Sequence, residues 1–148
     1  MIELRVMEQR DVEGVMKIEA EVVDFPWTYS IFSDCIKVGY SCWVLEEDEV
    51  IIGYGLLSAA ANEAHILNVC ITPEKQGQGL GERMMLHLID EAKKLKTLSV
   101  YLEVRVSNER AIRLYEKLGF TVIGHRKEYY PGYDIREDAM VLELVFAS

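Results

Sequence analysis

Two segments of the sequence carry residue types at spacings suited to chemistry. The first is Gln76-Gly77-Gln78-Gly79-Leu80-Gly81, placed between a strand-like run and a long amphipathic stretch. Glycines let the backbone turn with its N–H groups pointing one way, and a helix beginning there adds the positive end of its dipole, so the segment forms an anion site. Taken alone it is ambiguous, because glycine-rich strand–helix junctions serve several nucleotides and some are only tight turns. Spacing removes two readings. A dinucleotide fingerprint needs a third glycine at position 82, where Glu82 stands, and normally follows the first strand of its domain. A P-loop needs Gly-Lys-Ser/Thr, a tripeptide this sequence lacks.

The second segment is Asn108-Glu109-Arg110-Ala111-Ile112-Arg113-Leu114-Tyr115-Glu116-Lys117-Leu118-Gly119-Phe120. The pattern Asn-x-x-Ala-x-x-Leu-Tyr-x-x-x-Gly-Phe behind a Gln-x-x-Gly-x-Gly loop resembles the GCN5-related N-acetyltransferase superfamily. Further matches at Phe25-Pro26-Trp27, Asn68-Val69, Leu102-Glu103-Val104-Arg105, Ser107-Asn108, Tyr129-Tyr130-Pro131 and Arg136-Glu137-Asp138-Ala139 resemble a bacterial group within it. Members of that group acetylate the N-terminal alanine of a small-subunit ribosomal protein.

The resemblance implies acetyl-CoA as co-substrate, a ribosomal-protein N-terminus as partner, and a role for each matching residue. Val69, Cys70 and Ile71 supply backbone hydrogen bonds to the pantetheine arm. Gly77, Gln78, Gly79, Leu80, Gly81 and Glu82 hold the pyrophosphate, and Asn108 contacts the thiol end. Glu103 matches the proton acceptor and Tyr115 the proton donor. The substrate N-terminus is expected between Phe25-Pro26-Trp27 and the Tyr129-Tyr130-Pro131 hairpin. The implied alternatives are the same transfer to a lysine, polyamine or small-molecule amine, or an acyl-CoA-binding module without catalysis.

Elementary chemistry makes these roles coherent. An α-amine with a pKa of about 8 is mostly protonated at neutral pH and must lose a proton before attack. A partly buried carboxylate with a raised pKa can accept it, directly or through water. A strand N–H can stabilise the oxyanion, and a phenol can protonate the departing thiolate. No covalent enzyme intermediate is needed, so Cys70 need not be a nucleophile. Each residue also has a structural reading: Glu103 as an edge-facing strand carboxylate paired with Arg105, Tyr115 as a core tyrosine, and Asn108 as a helix start with Ser107 as N-cap.

The elements that position these groups follow from periodicity. A strand is expected over 2–6. Val12, Val15, Met16, Glu19 and Val22-Val23 have helical spacing; Phe25-Pro26-Trp27 interrupts, and Thr28 caps a short second helix through Cys35. Strands over 41–46 and 50–60 flank the charged turn Glu47-Asp48-Glu49, and a third spans 64–71. Leu80, Met84, Leu88, Ala92 and Leu95 stripe a long helix beginning near Gly79. A strand over 98–104, a helix ending at Gly119, and strands over 121–129 and 139–146 complete the set. Three consecutive strands suit an antiparallel meander, and the two strand–helix–strand units call for parallel neighbours. The fold class expected is α/β, the GCN5-related acetyltransferase fold: a mixed, mostly antiparallel sheet flanked by helices on both faces.

Composition agrees with one domain over 1–148 and excludes other classes. Half of the residues are hydrophobic and three are proline, and no apolar run reaches eighteen residues. The N-terminus alternates apolar and charged residues, unlike a secretory signal, so a cytoplasmic protein without membrane attachment is expected. A net charge of −9 argues against direct nucleic-acid binding. Residues 1–74 hold 4 basic and 14 acidic side chains and residues 75–148 hold 12 and 11, so the first half is suited to a basic partner or simply to solubility. Cys35, Cys42 and Cys70 read as reduced thiols, and the scattered His65, His87 and His125 give no metal site.

Overall fold

The computed structural model describes residues 1–146. Its elements run β1 (Ile2–Val6), α1 (Val12–Val22), α2 (Tyr29–Lys37), β2 (Ser41–Glu47), β3 (Val50–Ala60), β4 (Glu63–Ile71), α3 (Leu80–Lys94), β5 (Ser99–Arg105), α4 (Glu109–Lys117), β6 (Thr121–Tyr130) and β7 (Glu137–Val145). The strands take the sheet order β1-β2-β3-β4-β5-β7-β6. By contact density the chain divides into two compact units, one comprising residues 1–58 and 66–91, the other 59–65 and 92–148.

The first unit carries the expected antiparallel meander. β1 pairs with β2 from Ile2↔Glu47 to Val6↔Trp43, and β2 pairs with β3 through Cys42↔Leu56 and Val44↔Tyr54. Asp48 and Glu49 take φ of 50° and 69°, the left-handed pair that suits the twist of a two-residue hairpin. Alternation along β3 places helices on opposite faces. Tyr54 meets Phe32 of α2 edge-on at 5.7 Å, in a buried cluster with Val12, Val15 and Ile18 of α1. The next residue, Gly55, faces α3: a Cβ there would lie 2.7 Å from Met84 Cγ and 3.0 Å from Leu88 Cδ1. The helix packs this closely because position 55 has no side chain. Thr28 caps α2 as expected, its Oγ1 accepting from the Ile31 N–H at 3.4 Å, and the helix runs two residues beyond Cys35.

In the second unit β4 pairs in parallel with β5 over Glu63↔Ser99 to His65↔Tyr101, as a strand–helix–strand crossover requires. The second crossover differs from expectation. β7 lies between β5 and β6 and is antiparallel to both. The strands joined by α4 therefore point the same way without being neighbours. Inserting the last strand satisfies the backbone groups of both flanks, and its register sets the buried Leu142 opposite the buried Leu102 of β5 and the buried Ala139 opposite Arg105.

Candidate active site

In the first unit, Gly77 and Gly79 have φ of 80° and 81°, backbone that disfavours any residue with a Cβ. The space in front of Gly79 is open, and residues 76–79 are exposed at the start of α3. Gln76 secures the loop by donating from Nε2 to the Ile71 carbonyl at 3.0 Å, which joins it to the end of β4. Lys75 is engaged by Glu47 at 2.6 Å. An anion here would therefore be held mainly by backbone N–H groups and the helix dipole. Glu82, in the first turn of α3, offers an anion only its backbone N–H. An open loop with two left-handed glycines before a fifteen-residue helix fits a pyrophosphate.

The same unit holds a buried carboxylate that the periodicity counted as one more position on the apolar stripe of α1. Glu19 is 1% exposed. Its Oε1 accepts from the Tyr54 hydroxyl at 2.5 Å and from Asn68 Nδ2 at 2.9 Å, and its Oε2 accepts from the Trp27 backbone N–H at 2.8 Å. Donors from β3, β4 and the segment between α1 and α2 satisfy the charge and fix Phe25-Pro26-Trp27 to the helix it follows. Trp27 packs on Phe32 at 5.1 Å. Cys70 is buried, and burial pushes its thiol up to about 11, so little thiolate exists at neutral pH.

In the second unit, alternation along β5 turns Tyr101, Glu103 and Arg105 away from the buried Leu102 and Val104. β5 lies between β4 and β7, so Glu103 is not on an edge. Its partner is not Arg105, which donates to Glu137 Oε1 at 3.1 Å and to the Pro131 carbonyl at 3.2 Å and covers the Tyr130 ring at 4.6 Å. Glu103 instead meets His65: Oε2 lies 2.5 Å from Nε2, with the glutamate side chain 5% exposed and the histidine 26%. The His65 ring stacks on Tyr101 at 4.7 Å. Burial, with the charge and hydrogen bonding of Glu103, raises the Tyr129 phenol; burial, with the charges of Tyr129 and Glu103, raises Tyr130. Both phenols thus stay neutral, and Tyr129 hydrogen-bonds to the carboxylate.

Asn108 itself, rather than Ser107, caps α4, its Oδ1 accepting from the Ala111 N–H at 3.2 Å. The side-chain amide N–H groups are its remaining donors. Glu137 steadies the approach to this helix by accepting from the Ser107 N–H at 2.9 Å. Tyr115 is half-buried on α4 with its ring 6.1 Å from Phe120. The structure thus gathers Glu103, His65, Tyr129 and Tyr130 in the second unit, where Tyr115 and Asn108 also lie. The glycine loop and residues 69–71 belong to the first. Among the described residues no group of three or more His, Cys, Asp or Glu could hold a metal ion.

The element order and sheet topology, with a glycine loop between β4 and α3, are those of the GCN5-related acetyltransferase fold. The chain belongs to the acetyltransferase (GNAT) family, whose model matches residues 7–120. It is 36% identical over 138 residues to the ribosomal protein bS18-alanine N-acetyltransferase of Escherichia coli (strain K12), covering 93% of each chain. To the enzyme of that name from Haemophilus influenzae it is 34% identical over 137 residues, covering 92% of this chain and 93% of that one. The crystal structure of the ribosomal-protein-S18-alanine N-acetyltransferase from Escherichia coli superposes with a TM-score of 0.93 at 34% identity, over 100% of this chain and 96% of that one.

Proposed function

We propose that this chain, acting as one acetyltransferase domain over 1–148, transfers acetyl from acetyl-CoA to the N-terminal α-amine of an alanine that begins a small-subunit ribosomal protein. The observation that carries the reading is the Glu103 carboxylate, 5% exposed and held by His65. Relatives named for this reaction match the chain over nearly its full length, which supports the choice of amine.

Glu103 takes a proton from the substrate ammonium, through a water where the amine does not touch it. Backbone N–H groups among Val69, Cys70 and Ile71 hold the charge that develops on the carbonyl oxygen. Tyr115 gives its proton to the departing thiolate, and Asn108 orients that end. Gly77 to Gly81 and the Glu82 N–H hold the pyrophosphate. Burial raises the Cys70 thiol, which supports direct attack by the amine rather than a covalent intermediate. Phe25-Pro26-Trp27 and Tyr129-Tyr130-Pro131 are each assigned to peptide contact. The setting is the cytoplasm, where ribosomal proteins are made, and the partner is a peptide rather than a nucleic acid or membrane. No helix among the described residues is long and apolar enough to cross a membrane.

The test is a panel of amines assayed for thiol release: ribosomal-protein peptides with different first residues, the same peptide blocked at its N-terminus but bearing a lysine, and a polyamine. The alanine-initiated peptide should give the highest kcat/KM. A higher value for the lysine or the polyamine overturns the proposed substrate, and no turnover with any amine overturns the enzymatic reading.

A further inference from the structure

Each turnover has a proton to dispose of. A substrate ammonium carries three N–H bonds and the amide product one, so the nitrogen gives up two protons; one ends on the coenzyme thiol and the other must reach solvent. The balanced reaction is R–NH3⁺ + CH3CO–SCoA → R–NH–COCH3 + HS–CoA + H⁺. Glu103 accepts a proton in the reading above, on which this inference rests, but its side chain is 5% exposed and has little direct access to bulk solvent.

We infer that His65 is the outlet, accepting the proton from Glu103 and releasing it to solvent. Its Nε2 is 2.5 Å from Glu103 Oε2, while the side chain is 26% exposed. One ring thus touches both the buried carboxylate and water. Parallel pairing places His65 opposite Tyr101, and stacking on that ring at an interplanar angle of 21° holds the imidazole in the plane it needs. An ionised carboxylate only accepts, so Nε2 carries hydrogen in the resting pair. Once Glu103 has taken a proton, the reverse donation needs an Nε2 lone pair, which the neutral imidazole obtains by shifting its proton to Nδ1. Nε2 then accepts the Glu103 proton, and the imidazolium releases the Nδ1 proton to water, which leaves Glu103 ionised and His65 neutral. Histidine is suited to this because either imidazole nitrogen can carry a proton or accept one. The other titratable groups facing the pair are phenols: Tyr101 stacked on the imidazole, and Tyr129 and Tyr130, raised by burial and by Glu103. They leave His65 as the proton carrier of the cluster.

His65→Gln and His65→Ala separate a carrier from a prop. Glutamine keeps an N–H donor for Glu103 but cannot shuttle a proton. Steady-state turnover of an alanine-initiated peptide is measured beside Glu103→Gln, with acetyl-CoA affinity and thermal melting as folding controls. As an outlet, both His65 variants lose kcat by roughly 10- to 100-fold at neutral pH with acetyl-CoA affinity unchanged. Added imidazole then restores kcat in His65→Ala and does nothing for Glu103→Gln. Full activity in His65→Gln, or a crippled His65→Ala that imidazole leaves unchanged, overturns the inference. Impaired Glu103→Gln beside two fully active His65 variants removes the outlet alone. A fully active Glu103→Gln removes the acceptor reading and the outlet with it.

Discussion

The Glu19 carboxylate accepts the Trp27 backbone N–H at 2.8 Å, so the helix α1 holds the segment that follows it by a side chain two turns back. The same carboxylate takes the Tyr54 hydroxyl and the Asn68 amide. A carboxylate offers only acceptors, and three donors converge on it. Glutamine has one acceptor oxygen, so in Glu19→Gln at least one donor must face an N–H2 group. The expected cost is about 1–3 kcal/mol of stability. If Phe25-Pro26-Trp27 contacts peptide, KM for the peptide should rise several-fold while acetyl-CoA affinity by calorimetry stays close to wild type. Lost stability with an unchanged peptide KM would leave Glu19 a structural residue only.

Glu19 also marks where the sequence is legible and where it is not. Helical period and strand alternation are local, so each strand and helix could be placed within a few residues, and the glycine loop and the Asn108 segment are contiguous motifs. Sheet order is not local. β7 inserts between β5 and β6 through pairings with residues some 40 positions away in β5, and nothing in the run 137–145 names its neighbours. Glu19 occupies an apolar-stripe position, and a charge at such a position signals a buried partner that periodicity cannot name. His65 had no signal of its own: its contact with Glu103 spans 38 residues and arises only when β4 pairs with β5.

Gly79 separates backbone strain from charge. Nothing lies within 4 Å of a Cβ built there, and its φ is +81°. Asparagine and aspartate have nearly the same shape and both visit left-handed backbone more readily than most residues, so each should fold with a modest stability loss of about 1 kcal/mol. They differ in charge. If the loop holds pyrophosphate, Gly79→Asp should lower acetyl-CoA affinity by at least about tenfold more than Gly79→Asn. Equal affinities by calorimetry, in two folded variants, would remove the loop from the cofactor site.

The buried thiols give an alkaline signature. Burial pushes Cys42 up to about 12 from an ordinary value of 9.0, and Cys70 up to about 11. Above pH 9 the unfolded thiols lose protons that the folded ones keep, so the unfolded state binds fewer protons and stability falls as pH rises. The contribution is complete below about pH 9 and lost as pH climbs toward 11–12. Denaturant melts should show this decline, and Cys42→Ala with Cys70→Ala should make it shallower. The remainder comes from Cys35 and the phenols Tyr54 and Tyr130, which burial also raises. Cys70→Ala should also keep kcat within about threefold, because direct attack needs no enzyme nucleophile. A burst of one thiol released per enzyme, absent in the alanine variant, would restore Cys70 as a covalent catalyst.

Glu103 and Tyr115 are distinguished by how their losses respond to pH. Glu103→Gln keeps size and much of the hydrogen bonding to His65 and Tyr129 but removes the proton acceptor; Tyr115→Phe removes only a hydroxyl. As acceptor and donor, each should lower kcat by roughly 10²–10⁴-fold with little change in acetyl-CoA affinity. Raising the pH past about 8 supplies the amine already neutral, so the Glu103 variant should recover part of its rate. The Tyr115 variant should not, because at high pH the leaving thiolate still lacks its donor. If Tyr115 only packs against Phe120, its phenylalanine variant would keep turnover and change stability by about 1 kcal/mol or less. Full activity of both folded variants across the pH range would end the acid–base assignment and leave the acetyltransferase fold standing.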